Sequence, residues 1–548
     1  MIRAVVIAAA AAVIAVAGFL HYRDGGGATA GLVIPFVYSP NEEELLLPLI
    51  DRFNGEHHLV GRDRVEIQGQ GISSGDAEAK IAHRSVQPVL WSPASSFWGQ
   101  LLDYETDASW APRASPALVR TPLVVALWKP EATALGWPRK PIGLSQIIQL
   151  AANGRGWAEY GLPTYGRFRL GHTNPDFSSS GLSFVAAQYY VAVGKRRGLS
   201  EADVTRPAVR ARVRALQQSI VHYGDTGSFF VDQLKLHGPG YVSAVAMEEV
   251  SLLDYNRTRG HATPLVAIYP REGTFYFDNP LVTLRAPWVT TRQARAARMF
   301  ARWLGKAVTP DLAARYGYRP GDPAKAPVAP ITRANFVDPA QPRAVFELPE
   351  PRVLAAIKRA WHADRKAANV AVVVDVSGSM SAHDRLVEAQ KGLHIFLRQF
   401  SPRDRVGLFT FSDHVTTVVP IDRMAANRHV LSQSVDALVA QGGTAVYDAT
   451  ESGVQAVAAL HDDQRINAVV VLTDGDDNAS RLTAQRLITE LRGHAEDEEQ
   501  NIRVFTIAYG SEANGAALGK IAAASGGKGY TGEPSEIASV YRQISSFF

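Results

Sequence analysis

Residues 369–379 read NVAVVVDVSGS, and this stretch decides the fold of the C-terminal part of the chain. The run from Asn369 to Asp375 is apolar and rich in valine, which is typical of a central parallel strand buried on both faces. It leads into Asp375, Ser377 and Ser379, whose alternate spacing puts three oxygen-bearing side chains on one side of a strand-end loop. Because α/β folds bind ligands at the carboxyl ends of parallel strands, the stretch predicts a ligand site at this edge.

Two later segments add oxygen ligands to the predicted site. Gly442–Ala445 opens a predicted helix and offers the hydroxyl of Thr444, and a second apolar strand, residues 466–472, leads into Thr473-Asp474-Gly475. Mg2+ takes several oxygen ligands in a tight octahedron and retains some of its waters. The residues therefore predict a Mg2+ site that keeps net positive charge for an incoming anion, with Mn2+ and Ca2+ as open alternatives.

This set of residues resembles the metal-ion-dependent adhesion site of the von Willebrand factor A (VWA) family, and residues 367–548 resemble a whole VWA domain. The matching positions are Asp375, Ser377, Ser379, Thr444 and Asp474. The resemblance implies a Rossmann-like domain with a central, mostly parallel sheet flanked by helices. It also implies direct coordination by the serines and the threonine, aspartates that bind directly or through water, and a partner protein that offers a carboxylate to the metal.

Helix capping is the alternative interpretation of these residues, and an EF-hand loop is a second one that the sequence does not support. The polar side chains could simply cap helices, as serine, threonine and aspartate often do. Asp474, Asp476 and Asn478 also imitate the start of an EF-hand loop, but Ala479 replaces the glycine of its sixth position and Gln485 the glutamate of its twelfth.

The segment from residue 31 to 320 alternates short apolar strands with helical stretches, which indicates an α/β fold with a mainly parallel sheet. Examples are the predicted strand 32–38, the helix 42–53, the strand 65–68 and the helix 76–84. Several helices begin with serine or glycine directly after a strand. Hydroxyls and free N–H groups at helix N-termini form anion sites, so these starts are candidates for binding a small polar or anionic solute.

The same segment resembles bacterial extracellular solute-binding proteins of the two-lobed, periplasmic-binding-protein-like type II class. The matching stretches are Ser39-Pro40, Gly71–Gly75, Trp91–Ser96, Asn174–Gly181, Tyr269–Gly273 and Tyr318–Pro320. The candidate ligand-binding residues are Ser39, Ser73, Ser74, Ser95, Ser96, Ser178, Ser179 and Ser180. For each serine, ordinary helix capping is the alternative, and the domain could instead contact protein or cell-wall polymer.

A hydrolase is the enzymatic alternative. Gly71-x-Ser73-x-Gly75 has the spacing of a nucleophile elbow between a strand and a helix. No later histidine is marked by its surroundings as the base of a triad, and we therefore predict a protein that is not an enzyme.

The N-terminal sequence predicts that most of the protein lies outside the cytoplasm. An apolar run from Ala4 to Leu20 follows Arg3, which suits a signal anchor or a cleaved signal peptide in residues 1–24. A signal anchor would hold the protein on the cell membrane by one N-terminal helix, and a cleaved signal peptide would make it a secreted protein. Residues 25–30 form a glycine-rich spacer, and the proline-rich residues 321–366 form a linker that ends in a connecting helix.

Composition narrows the partners. The 548-residue chain has no cysteine, which excludes disulfides and thiolate metal sites. Its net charge is +4, and the sequence has no block of like charge that would indicate a nucleic-acid-binding surface. The sequence thus predicts a membrane-anchored binding protein with a protein partner and a solute. The alternative is a substrate-binding receptor for a transporter, in which the VWA domain serves to dock the protein to that transporter.

Overall fold

The computed structural model describes residues 31–112, 115–496, 501–510 and 512–548. The predicted anchor and spacer, residues 1–30, lie outside the described residues. Among the helices that are described, none combines the length and the apolar character needed to cross a bilayer.

The strands of the described residues are, in chain order, β1 (Leu32–Tyr38), β2 (Leu59–Val60), β3 (Asp63–Gly71), β4 (Leu90–Ser92), β5 (Val119–Trp128), β6 (Leu170–Thr173), β7 (Ile220–Gly224), β8 (Ala244–Glu248), β9 (Leu265–Ile268), β10 (Tyr276–Phe277), β11 (Val282–Thr283), β12 (Arg319–Pro320), β13 (Ala368–Asp375), β14 (Arg405–Phe411), β15 (Val415–Arg423), β16 (Ile466–Thr473), β17 (Ile502–Tyr509) and β18 (Gly529–Gly532).

The α-helices are α1 (Glu43–Gly55), α2 (Ser74–Ala82), α3 (Phe97–Thr106), α4 (Lys129–Ala134), α5 (Leu144–Ala152), α6 (Ser179–Val193), α7 (Glu201–Thr205), α8 (Pro207–Gln217), α9 (Gly227–His237), α10 (Glu249–Thr258), α11 (Thr291–Ala307), α12 (Pro310–Arg315), α13 (Pro351–Asp364), α14 (Arg385–Gln399), α15 (Met424–Asp436), α16 (Val446–Ala458), α17 (Ala484–Glu496), α18 (Gly515–Ala524) and α19 (Ile537–Ser545).

The chain divides into two compact units. The first contains the residues up to Thr121 and the segment Tyr276–Ile331, and the second contains Pro122–Phe275 and Thr332–Phe548. The chain therefore passes from one unit to the other within β5 and again after Phe275 and Ile331.

The first unit is built on a five-stranded sheet of order β11-β4-β1-β3-β2. β1 lies parallel to both β3 and β4, whereas β2 and β11 run antiparallel at the edges. The sheet is thus mixed at its edges, which the prediction of a mainly parallel sheet did not include. The alternation of strands and helices did not predict β2, because β2 has only two residues and is joined to its antiparallel partner β3 by a tight turn with Gly61 at a φ of 69°.

The second unit holds two sheets. In the sheet that precedes the VWA-like region, β5 pairs antiparallel with β8 and β9, and β6 lies parallel to β7 and β8. This sheet is also mixed. The other sheet has the order β15-β14-β13-β16-β17-β18, and every neighbouring pair in it is parallel except β14 with β15.

The central strands β13, β16 and β17 are buried along their whole length, as the valine-rich sequence predicts. β13 and β16 pair in register, with Val374 opposite Leu472. Their carboxyl ends, which carry Asp375 and Asp474, therefore lie side by side.

From Thr332 onward the predicted linker belongs to the second unit and packs within it, whereas residues 321–331 belong to the first unit. The rings of Phe346 and Tyr190 stack with their centroids 4.8 Å apart, and the predicted connecting helix is α13. Asp364, at the end of α13, is almost completely buried and accepts paired hydrogen bonds from Arg210 at 2.7 and 2.8 Å and a further one from Arg214 at 2.5 Å. Although burial raises its pKa, the two guanidinium groups hold the pKa of Asp364 below its ordinary value.

Candidate metal centre

Asp375 is fixed between two neighbouring strand ends. Its side chain is fully buried, and its Oδ1 accepts a hydrogen bond of 2.7 Å from the backbone N–H of Ser377. Its Oδ2 accepts one of 2.5 Å from the hydroxyl of Thr473, the last residue of β16. The carboxylate is therefore oriented before any ligand arrives.

Three of the other predicted ligands form one hydrogen-bonded series. The hydroxyls of Ser377 and Ser379 lie 2.9 Å apart, and the Ser379 hydroxyl donates to Asp474 Oδ1 at 2.7 Å. Asp474 is fully buried, whereas Ser379 is exposed. Ser379, the exposed middle member, thus joins the buried side chains of Ser377 and Asp474.

Thr444 reaches the same place from the loop before α16. An added Cβ on Gly475 would lie 3.7 Å from the Thr444 hydroxyl and 3.9 Å from the Ser379 hydroxyl, so both side chains border Gly475. Gly442 permits the loop because its φ of 82° is strained for other residues, and its carbonyl accepts from Gly378 N–H at 3.0 Å. The structure brings all five predicted metal ligands together.

The electrostatics leave one buried carboxylate without a cation. Burial raises the pKa of Asp375 to about 6, hydrogen bonds from Ser377 and Thr473 oppose this, and the charge of Asp474 adds to it. Arg385 donates to Asp474 Oδ2 at 2.8 Å and to Glu512 at 2.9 Å. Among the described residues, no arginine, lysine or histidine forms an ion pair with Asp375.

The donor set fits a hard divalent cation. No cluster of three or more histidine, aspartate, glutamate or cysteine side chains suited to a metal occurs in the part of the chain that is described. A metal ion at this place would have hydroxyls as well as carboxylates around it. Two carboxylates and three hydroxyls are oxygen ligands of the kind that Mg2+ prefers. Ser377, Ser379 and Thr444 would hold the ion directly, beside Asp375 and Asp474.

Sequence reasoning missed the residues that position these ligands. Asn478 Oδ1 accepts from Thr444 N–H at 2.8 Å, and Asp413 accepts from Gly443 N–H at 2.9 Å. Arg385 and Thr473 hold the two aspartates. Asn478 and Asp413 lie in other loops, Arg385 begins α14 and Thr473 ends β16, and the sequence pattern does not predict these contacts.

The EF-hand alternative has no support in the geometry. Asn478 turns its side-chain oxygen to the Thr444 loop, and Asp477 accepts from the hydroxyl of Ser480 at 2.5 Å. Asp476 is exposed. The acidic loop therefore holds its neighbours and does not gather its oxygens around one point.

In the first unit, the predicted solute-binding serines lie at adjoining strand ends. Ser39 N–H donates to the Ser92 carbonyl at 2.9 Å, and the Ser74 hydroxyl accepts from Ala94 N–H at 3.0 Å. Ser96 N–H donates to Asp278 at 2.8 Å. The structure thus brings together the loops that carry Ser39, Ser73 and Ser74, and Ser95 and Ser96.

The remaining three serines start α6 in the second unit. The Ser180 hydroxyl lies 3.0 Å from those of Thr173 and Ser178, and Ser179 and Ser180 are buried. These contacts join the start of α6 to the end of β6.

Ser73 does not have the backbone of a nucleophile elbow. It precedes α2 with φ −56° and ψ 143°, whereas the elbow depends on a strained turn. The hydrolase interpretation therefore loses its geometric basis.

The mixed sheets with flanking helices define an α/β protein whose C-terminal domain has a mostly parallel central sheet. The chain belongs to the family of bacterial extracellular solute-binding proteins, whose model matches residues 35–319. The von Willebrand factor type A domain model matches residues 369–541. Both resemblances drawn from the sequence are confirmed.

Relatives share one or both parts. An uncharacterized protein of Mycobacterium tuberculosis is 25% identical over 571 residues, covering 95% of this chain and 79% of that protein. An uncharacterized protein of Synechocystis sp. is 28% identical over 200 residues, which cover 35% of this chain and only 44% of that protein. Among solved structures, a periplasmic thiamin binding protein is similar with a TM-score of 0.44 and 11% identity, covering 62% of this chain and 98% of that one.

Proposed function

We propose that this protein binds a partner protein outside the cytoplasm through a Mg2+ ion held by its VWA domain, while its solute-binding domain binds a small polar or anionic solute. The observation that carries the proposal is the convergence of Ser377, Ser379 and Thr444 beside two fully buried carboxylates, of which only Asp474 has an arginine partner among the described residues. A divalent cation would supply the missing positive charge.

Each residue has a distinct part in the proposed binding. The hydroxyls of Ser377, Ser379 and Thr444 would ligate the ion, and Asp375 and Asp474 would balance its charge directly or through water. Gly378, Ser379 and Gly442 are exposed and leave one side of the site open. With only two carboxylates in the site, one of them already paired with Arg385, the ion retains positive charge that favours a carboxylate of the partner.

The solute part of the proposal rests on the strand-end loops of the first unit. The hydroxyl of Ser95 is fully buried and has no hydrogen-bond partner among the described residues. A buried polar group without a partner is costly, so a solute that accepts from or donates to Ser95 would stabilise the loop. The proposed membrane anchoring rests on the apolar sequence from Ala4 to Leu20 alone.

The test is capture of binding partners by the immobilised full-length protein from a membrane and cell-surface extract. We expect a protein that wild type retains in Mg2+, that chelator releases, and that Asp474→Ala and Thr444→Val both fail to retain. Thr444→Val removes only a hydroxyl and keeps the side-chain shape, so it guards against a folding defect.

Asp476→Ala is the matched control, because it removes an exposed carboxylate two residues from Asp474. It should retain the partner as wild type does. Equal retention by wild type, Asp474→Ala and Thr444→Val would show that the VWA domain does not bind through a metal.

A further inference from the structure

A second cavity in the same unit lies away from the metal centre. It has a volume of about 640 Å³ and is enclosed by α9 and the turn after it, by α17 and α18, and by the start of β17. Its lining combines apolar side chains with cations, namely Leu236, Tyr241, Ile488, Arg492, Arg503 and Lys520. Neither the metal centre nor the serine-rich helix starts use any of these residues.

Arg503 is the buried cation of this cavity. Its side chain is 2% exposed, its guanidinium lies 4.8 Å from the centre of the Tyr241 ring, and its Nη1 donates to the carbonyl of Ser525. Its Nε and Nη2 are buried and have no hydrogen-bond partner among the described residues. These two nitrogens form one edge of the guanidinium, and their N–H groups match the two oxygens of a carboxylate or phosphate.

The surroundings of Arg503 are positively charged. Arg492 and Lys520 are exposed members of the lining, and Arg169 donates to the carbonyl of Gly240 at 2.8 Å beside them. Within the described residues, none of Arg492, Arg503 and Lys520 forms an ion pair. Burial, with the charge of Arg169, lowers the pKa of Arg503 to about 10, so it remains charged at neutral pH.

His237, which also lines the cavity, adds no charge to it at neutral pH. Burial lowers the pKa of His237 to about 4, and the charges of Arg503 and Arg492 add to the effect. His237 is therefore neutral at pH 7. A buried cation without a counter-charge is strongly unfavourable, and an anion that enters the cavity would remove that cost.

We infer that this cavity binds a small organic anion, whose carboxylate or phosphate is held by the positive charge of Arg503 and whose apolar part lies against Tyr241, Leu236 and Ile488. Arg492 and Lys520 attract the anion at the rim. Since α9 precedes the VWA domain in the chain and α17 and α18 belong to it, the ligand would contact both parts of the second unit.

The inference is tested by titration calorimetry of the full-length protein with benzoate, phenyl phosphate and neutral benzamide. We expect binding of at least one of the two anions and none of benzamide; the stronger of the two anions identifies the preferred head group. The double variant Arg492→Gln/Lys520→Gln should weaken anion binding roughly tenfold, because each rim charge contributes modestly. Gln485→Glu, which adds a carboxylate to the lining, should weaken it as well.

The matched control is Lys391→Gln/Arg486→Gln, which removes the same number of charges from exposed positions outside the cavity. It should bind the anions as wild type does, and all variants keep Arg503 so that the fold is preserved. Equal binding by the rim variant, or binding of benzamide as strong as that of benzoate, would overturn the inference. So would a wild type that binds neither anion.

Discussion

Replacing Asp404 with alanine is expected to lower the free energy of unfolding by about 3–5 kcal/mol, because it leaves Arg365 as a buried, unpaired charge. Asp404 is fully buried and accepts from Arg365 Nη2 at 2.7 Å. It also accepts from the backbone N–H groups of Ser401 at 2.6 Å and of Ala368 at 2.9 Å. Since Ala368 is the first residue of β13, the same substitution loosens the strand that carries Asp375.

The measurement is denaturant unfolding, followed by a probe of the VWA domain. Arg486→Ala is the control, because it breaks an exposed pair with Glu490 that contributes at most about 1 kcal/mol. A loss below about 1 kcal/mol for Asp404→Ala would mean that the buried pair does not stabilise the domain.

Gly181→Ala is expected to destabilise the solute-binding domain by about 2–3 kcal/mol. A Cβ at this position would lie 2.1 Å from the carbonyl oxygen of Thr173, a backbone atom at the end of β6 that cannot turn away. α6 would have to move off β6, and the hydrogen bond between Thr173 and Ser180 would break. Thermal unfolding of the full-length variant measures this loss.

Gly305→Ala is the control for that substitution. Gly305 is exposed in α11, and an added Cβ would meet no atom within 4 Å. Alanine there should raise stability by about 0.5–1 kcal/mol, because glycine loses more backbone freedom on folding. Equal stability of the two variants would contradict the inference that α6 lies too close to β6 to admit a side chain at Gly181.

Continuous apolar runs were the most reliable predictors of the fold. β1 has the predicted bounds, and β13 and β16 each differ from the prediction by one residue, because a strand buried on both faces leaves a run that no other element matches. The antiparallel pairs in the sheets before the VWA domain were not predicted, and some of the strands in them are very short. β11 and β12 have two residues each and derive their stability from the strands they pair with, so the local sequence carries little signal.

The metal ligands could be predicted because they follow strands whose order is encoded in the chain. The residues that hold these ligands in place could not be predicted from the sequence. Arg385 reaches Asp474 across 89 residues of sequence, and Asn478 reaches Thr444 across 34. Arg503 gave no signal either, since a single arginine at the start of a strand becomes a candidate ligand only when its buried and unpartnered edge is known.

The most direct test of the central claim is a calorimetric titration of Mg2+ into the full-length protein and into Asp375→Asn. The substitution keeps the size of the side chain and removes its charge, so the fold should persist. We predict that wild type binds one Mg2+ at this site and that Asp375→Asn weakens binding at least about a hundredfold, because even residues that only support a ligand cost about 10–100-fold. Equal Mg2+ affinity of the two proteins would contradict the account.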